Sequence, residues 1–371
     1  MPTRKLVTRY RDDLAIFPDM WHKFGLVLGV ALALTYPFLV DDRWLIIGNL
    51  ALVAVVGSIS LMVLTGFAGQ ISLGHAGLLA VGAYAAAILG MRYHLPFWLI
   101  LPVAGLLATA VGLAVGVFAL RLEGLYLAIV TIGLLYLVRH MLLAMPDLTG
   151  GIAGIEVPIY LLFGENEADA ASRYDAVHIG PLTFEFGHKL YFGFLIVATA
   201  VAWMVKNLAR SDHGRAMMAV RDHDLAAAVL GVNPARAKIL SFAISSFLAG
   251  VAGAMLAAQQ QYITVDPFHL DMSIAYIAMI ILGGVGTVFG AVAGAIAFTF
   301  LTPAAEWLGG LLIGWLAPKL PFLDLDQLSS AQQSTVLFSI LLCVILVVEP
   351  LGLLGLWLRI KRYFMAWPFR Y

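Results

Sequence analysis

The sequence predicts an all-α polytopic membrane protein with about ten transmembrane helices and glycine-interrupted segments. Of its 371 residues, 62% are hydrophobic and only 12% are charged, far from the balance of a soluble domain. The 48 residues from Trp44 to Met91 contain no Asp, Glu, Lys or Arg. One bilayer crossing needs about 20 apolar residues, so this stretch is too long for one span and suits two.

Eight further apolar runs raise the predicted number of spans to ten. They cover residues 24–40, 97–120, 125–138, 190–205, 239–258, 272–300, 303–318 and 335–348. The run at 303–318 is short and contains Glu306, so a re-entrant or broken helix is the alternative there. The predicted membrane domain extends from 24 to 358, between an N-terminal segment, 1–23, and a tail, 359–371.

The distribution of basic residues predicts the orientation of the chain. Of the 22 Lys and Arg residues, five precede the first span, six lie in the loop 206–238 and four follow Trp357. Basic loops stay on the cytoplasmic side, and the six spans before the central loop and four after it are both even numbers. We therefore expect both termini and this loop to be cytoplasmic. The acidic loop 147–189 is then expected on the outer face.

Several kinds of functional site are absent from the sequence. It contains no G-x-x-x-x-G-K-[ST] phosphate loop and no H-E-x-x-H motif, and its single cysteine, Cys343, excludes a disulfide within the chain. Few ionisable groups fall within the spans, whereas ion-driven carriers usually place acidic groups there. We therefore expect no enzyme activity and no ATPase site in this chain, and any energy must come from a partner.

The stretch GFAGQISLGHAG, residues 66–77, interrupts the longest apolar run with four glycines and three polar side chains, Gln70, Ser72 and His75. Non-helical backbone is tolerated in a membrane only where it is buried in protein or lines an aqueous cavity. One interpretation is that the segment borders a passage. The alternative is close helix packing, with the polar groups bonded to neighbouring spans.

A second glycine-rich segment, LGGVGTVFGAVAGA, occurs late in the chain. Gly286, Gly290 and Gly294 are spaced four apart, which predicts one face of a helix and favours helix packing over substrate contact. Such segments in both halves of a chain also fit a transporter with paired broken helices.

The central loop has helix signals of its own. Asp212 is a candidate cap for a helix that begins near Arg215 and ends at Gly231, and Asn233 precedes Pro234 as the cap of the next span. A helical wheel shows no clean apolar face for lying on lipid, so a protein groove is a better match. An ordinary basic loop is the alternative.

Five motifs in order resemble one family. They are GFAGQISLGHAG with GAYAAA, LRLEGLYLAIVTIG, LTGGIAGI, YITVDPFHLDMSI with ILGGVGTVFGAVAGA, and VEPLGLLGL. The chain is similar to permease subunits of branched-chain amino acid ABC importers, the LivM-like group, from Gly66 to Gly355. Ile152 and Ala153 replace more usual polar residues, and urea and short-amide permeases share the motifs, so these solutes are an alternative.

The resemblance implies a bacterial inner-membrane permease and three kinds of partner besides the lipid bilayer. They are a second homologous permease, two cytoplasmic ATPase subunits that bind ATP and Mg²⁺, and a periplasmic or extracellular solute-binding protein. This chain would hold no cofactor or metal, and no nucleic-acid partner is expected.

The candidate functional residues form two sets, of which the resemblance assigns the first. The ATPase-coupling segment would consist of Arg221, Asp222, Asp224, Ala227 and Gly231, although Asp-His-Asp stands where the family commonly has glutamates. The candidates for the substrate pathway are Gln70, Ser72, His75, Tyr126 and Thr131. Interhelical hydrogen bonding is the alternative for all five and is favoured for Tyr126 and Thr131. A self-sufficient channel or ion-coupled carrier is the competing class of function, and a membrane enzyme is more distant.

Overall fold

A computed structural model describes residues 20–120, 122, 124–159, 177–179 and 182–316, with 336, 339–340, 343–344, 347, 352–355 and 359. Its first half contains α1 (Met20–Leu39), α2 (Asp42–Met62), α3 (His75–Tyr93), α4 (Phe97–Ala119), α5 (Leu125–Ala144) and the short α6 (Pro146–Thr149). A π-helical turn, Val63–Phe67, extends α2.

The second half contains α7 (Phe186–Arg210), α8 (Asp212–Asp222), α9 (Asp224–Val229), α10 (Pro234–Gln260), α11 (Leu270–Gly283) and α12 (Val288–Leu316). Strand β1 (Ile155–Glu156) pairs antiparallel with β4 (Tyr262–Ile263), and β2 (Val177–Ile179) pairs with β3 (Leu182–Phe184).

Within the described residues, seven helices are long and apolar enough to cross a membrane, which confirms the all-α multi-pass class. They are α2 with its π-helical turn, α3, α4, α5, α7, α10 and α12. Helix α11 and the segment Gly29–Leu39 of α1 are shorter apolar helices. The predicted span 335–348 lies mostly outside the described residues, so ten spans and the orientation of the termini stay predictions.

The predicted boundary between the spans 272–300 and 303–318 is wrong. The chain leaves the helical conformation at Gly284–Thr287, and α12 then continues through Pro303 to Leu316. Gly284 and Gly286 adopt φ angles of 112° and 87°, which end a helix outright. A proline inside a membrane helix removes only one backbone hydrogen bond, which neighbouring groups can replace.

Helix α10 lies at the centre of the bundle and packs against α2, α3 and α4. Its small residues permit backbone contact: a Cβ on Gly250 would stand 2.6 Å from the carbonyl oxygen of Ala104 on α4. The hydroxyl of Ser60 donates a 2.6 Å hydrogen bond to the carbonyl oxygen of Ser245, which joins α2 to α10. Close backbones and interhelical hydrogen bonds stabilise a bundle in lipid, where the hydrophobic effect between helices is lost.

The two ends of α2 have different partners. At its start, Arg43 forms a 2.8 Å ion pair with Glu306 of α12, so the acidic residue of the predicted short span is paired. The helix and its π-helical turn together comprise 26 residues, a rise of about 39 Å. The other end of this segment lies beside the central basic loop. That end carries the candidate site.

Candidate functional site

The connection between α2 and α3 is interrupted, as the glycine pattern predicted. The π-helical turn Val63–Phe67 is followed by non-helical backbone from Gly69 to Gly74 before α3 begins at His75. The polar side chains of the interruption are buried, with Gln70 6% and Ser72 2% exposed, whereas Gly69 and Ile71 are exposed. The Gln70 and Ser72 side chains are therefore enclosed by protein rather than by lipid, as polar groups must be within a bilayer.

The second interruption, between α11 and α12, lies directly against the first. A Cβ on Gly66 would stand 2.9 Å from both N and Cα of Gly286, closer than side chains normally approach. The sequence predicted that Gly286, Gly290 and Gly294 share one face of a helix. This is wrong for Gly286, which precedes α12 and has a non-helical φ of 87°. Gly290 and Gly294 do lie on α12, where a Cβ on Gly283 of α11 would collide with their backbones.

One side chain from the central loop reaches both interruptions. Arg221 donates a hydrogen bond from Nη1 to the carbonyl oxygen of Gly66 at 2.6 Å. A Cβ on Gly69 would stand 2.7 Å from Cγ of Arg221, and one on Gly286 would stand 3.4 Å from its Nη1. The guanidinium also binds Asp222 through Nε and Nη2, at 2.9 and 2.7 Å. Arg221 therefore contacts the membrane helices, although 36% of its side chain stays exposed, and the glycines leave room for this contact.

The central loop forms two helices where one was predicted. Ser211, rather than Asp212, caps α8, because its hydroxyl accepts a hydrogen bond from the Gly214 N–H. His223 then adopts an extended conformation, with φ −164° and ψ 102°, and separates α8 from α9. Asn233 caps α10 as predicted, since its side chain accepts from the Arg236 N–H at 3.1 Å.

The two short helices have an inner and an outer face, a division that the helical wheel missed. Met217, Val220 and Ala227 are at most 5% exposed and pack inward. Ala227 was predicted in the docking element, but in this structure it contacts the chain's own core. Asp222 and Gly231 are exposed.

Three exposed apolar residues that the sequence analysis missed lie on and just after α9. Leu225, Val229 and Leu230 are 71%, 88% and 84% exposed. We call these three residues the α9 patch. The signal for two of them was present in DLAAAVLGV, where Leu225 and Val229 are four residues apart and share a helical face.

A cavity of about 200 Å³ lies between the central loop and the membrane helices. Its described lining consists of Ala68, Gly69, Gln70, Leu122, Gly124, Leu127, Val220, Asp224 and Lys238. Neither amide atom of the buried Gln70 has a hydrogen-bond partner among the described residues. An unpaired buried amide is costly, so this cavity can accept a polar ligand or water.

The other predicted pathway residues do not line this cavity. His75 is fully buried, with Nε2 3.0 Å from the carbonyl oxygen of Gly57 and its ring edge-on to Tyr276. Thr131 accepts a hydrogen bond from the Leu73 N–H at 3.0 Å and so ties α5 to the first interruption. Tyr126 is 71% exposed on the surface of the chain. Their contacts favour packing and interhelical hydrogen bonding for His75 and Thr131.

The LTGGIAGI motif lies at the other end of the bundle. There β1 pairs with β4, and the Tyr262 hydroxyl donates to the carbonyl oxygen of Ala153. These contacts join the segment after α6 to the segment after α10, while Ile152 stays 86% exposed. The motif is thus separate from the cavity beside the central loop.

Comparison with known proteins adds a family match. The family described as the permease component of branched-chain amino acid transport systems matches residues 45–348. No solved structure gives a significant match.

Three curated relatives have named transport roles. The chain is 35% identical, over 74% of its length and 66% of the relative's, to the high-affinity branched-chain amino acid transport system permease protein LivM of Escherichia coli K12. It is 34% identical over the same shares to LivM of Salmonella typhimurium LT2. It is 31% identical, over 46% of its length and 51% of the relative's, to the permease protein LivH of Escherichia coli K12. The match thus spans just under two thirds of either LivM.

Proposed function

The chain belongs to the family of permease components of branched-chain amino acid transport systems, and we propose that it is a membrane-spanning subunit of an ATP-driven importer. The solute would be a branched-chain or related neutral amino acid, carried across the bacterial inner membrane. The names of the LivM relatives support this class of solute. The apolar helices support the membrane location.

A second homologous permease is the first proposed partner. The chain is similar both to LivM and to LivH of one bacterium, two permease proteins that carry the same transport-system name. A pair of related chains would enclose a passage between them. Exposed residues of the isolated chain, such as Tyr126, are then candidates for that interface.

Two cytoplasmic ATPase subunits and an external solute-binding protein complete the proposed assembly. The sequence has no phosphate loop, so ATP and Mg²⁺ would be bound by the ATPases. The α9 patch offers them an apolar docking surface, since Leu225, Val229 and Leu230 are exposed where no lipid contact is expected. Asp222 and Gly231 lie on the same exposed segment.

The contacts of Arg221 are the observation that carries the mechanism. Movement of the docked loop would act through Arg221 on the carbonyl of Gly66 and on the adjoining backbone of Gly286. Both helix interruptions would then shift together and switch the passage between inward-facing and outward-facing states. Such a switch drives transport only if the solute binds the two states differently.

Purification from native membranes tests this proposal. The tagged chain, extracted gently, should retain a second permease and an ATPase that mass spectrometry identifies. Reconstituted with its external binding protein, this assembly should accumulate L-leucine or L-valine only when ATP is present. Recovery of the chain alone, with solute flux in liposomes lacking ATP, would contradict it and favour a self-sufficient channel or carrier. ATP-driven uptake of urea or short amides alone would contradict the proposed solute.

A further inference from the structure

We propose that the cavity beside the central loop is a binding site for a zwitterionic amino acid with a compact apolar side chain, reached from the loop side. Occupancy of this site would slow import when the solute has accumulated on that side. The inference rests on the proposed function in two respects: it identifies the ligand with the transported solute, and it takes import as the process that occupancy slows.

The polar groups of the cavity match both charges of such a ligand. Lys238 supplies a basic side chain for a carboxylate, and Asp224 supplies an acidic side chain for an ammonium group. Gln70, which is 94% buried, offers both an amide donor and an acceptor that have no partner among the described residues. Hydrogen bonds that involve a charged group are about twice as strong as neutral ones.

The remaining described lining residues match a small apolar side chain. Leu122, Leu127 and Val220 are aliphatic, and Gly69 and Gly124 leave room near the backbone. The volume of about 200 Å³ lies below the roughly 300–1,000 Å³ of pockets for drug-sized ligands. A cavity of this volume is large enough for an amino acid.

The position of the cavity explains how a ligand would inhibit. Val220 belongs to α8 and Asp224 to α9, whereas Gln70, Leu127 and Lys238 belong to segments of the membrane bundle. A ligand that bridges Asp224 and Lys238 therefore joins the loop helices to the bundle. It would favour the arrangement in which these parts are close and oppose any state in which the loop moves away.

Binding to the purified full-length chain in lipid nanodiscs, without ATPase subunits, tests the site directly. Radiolabelled L-leucine should bind, and 4-methylpentanoate and isoamylamine, which lack the ammonium and the carboxylate respectively, should compete at least about tenfold more weakly. Absence of L-leucine binding would overturn the inference. Equal competition by 4-methylpentanoate would also overturn it, because the cavity would then be an anion site only.

Substitutions of charged residues test whether L-leucine binds in this cavity. Lys238→Met and Asp224→Asn should each weaken L-leucine binding by about tenfold. Arg236→Met, which removes an exposed charge from the same end of α10, should bind as the native chain does. Equal affinities for Lys238→Met and Arg236→Met would overturn the assignment, because the bound leucine would then lie elsewhere.

Uptake measurements distinguish a failure of this inference from a failure of the proposed function. In proteoliposomes of the complete assembly, L-leucine preloaded on the ATPase side should reduce uptake, and the reduction should be smaller with Lys238→Met. Equal reduction in both would overturn the inhibitory role. An assembly that takes up no amino acid under any condition would contradict the proposed function, while the nanodisc measurement would still decide whether the site exists.

Discussion

The guanidinium of Arg221 donates a 2.6 Å hydrogen bond to the backbone carbonyl of Gly66, across 155 positions of sequence. This contact joins the central loop to the interruption between α2 and α3. The same side chain lies against Gly286, so the interruption between α11 and α12 is also within its reach. A single residue thus connects the loop to both of these interruptions.

We expect Arg221→Gln to lower ATP-driven uptake by the assembly about tenfold, since a hydrogen bond from a charged donor contributes about 1.5–3 kcal/mol. ATPase subunits should still co-purify, because the guanidinium of Arg221 is bonded to Gly66 and Asp222 of its own chain. The control is Arg215→Gln, which removes an exposed ion pair with Asp212. Such exposed pairs contribute little, so its uptake should be normal. Equal uptake by the two variants would show that the Gly66 contact does not transmit movement.

We expect Gly66→Ala to destabilise the chain by about 1–3 kcal/mol, because its Cβ would stand 2.9 Å from the backbone of Gly286. The matched control is Gly133→Ala in α5, where an added Cβ meets nothing within 4 Å. Alanine favours a helix there by up to about 1 kcal/mol. Thermal unfolding in detergent measures both. A Gly66→Ala chain as stable as Gly133→Ala would mean that the two interruptions readily separate.

We expect Leu225→Asp and Val229→Asp to reduce the amount of ATPase that co-purifies with the chain. Both side chains are exposed, so the fold should tolerate the change, whereas a charge in an apolar interface is costly. Retained ATPase together with unchanged thermal stability would exclude the α9 patch as the docking surface. His213→Asp, at the exposed start of α8, is the control and should keep its ATPase.

We expect Thr131→Val to cost about 1–3 kcal/mol, because the Leu73 N–H would lose its acceptor while the size of the side chain is preserved. Thr131→Ser keeps the hydroxyl and should be closer to the native chain in thermal unfolding. If the serine and valine variants unfold at the same temperature, the hydrogen bond does not hold α5 to the first interruption. Normal uptake by Thr131→Val, which lacks the hydroxyl, would separate this structural role from substrate contact.

Features that depend on nearby residues could be predicted from the sequence. Hydropathy predicted the membrane class, since a bilayer crossing requires a long apolar run whatever surrounds it. The glycine pattern predicted the interruption between α2 and α3, and Asn233 before Pro234 predicted the start of α10. Each follows from the preferences of a few adjacent residues.

The arrangement of the candidate site was decided by the tertiary structure. Ala227 faces inward, Gly286 lies outside α12, and Arg221 contacts Gly66, none of which the sequence predicted. In a chain that is 62% hydrophobic, apolar residues face both lipid and protein, so the pattern does not show which helix faces meet. Those contacts depend on shape and on close approach between distant backbones, and these are properties of the folded bundle.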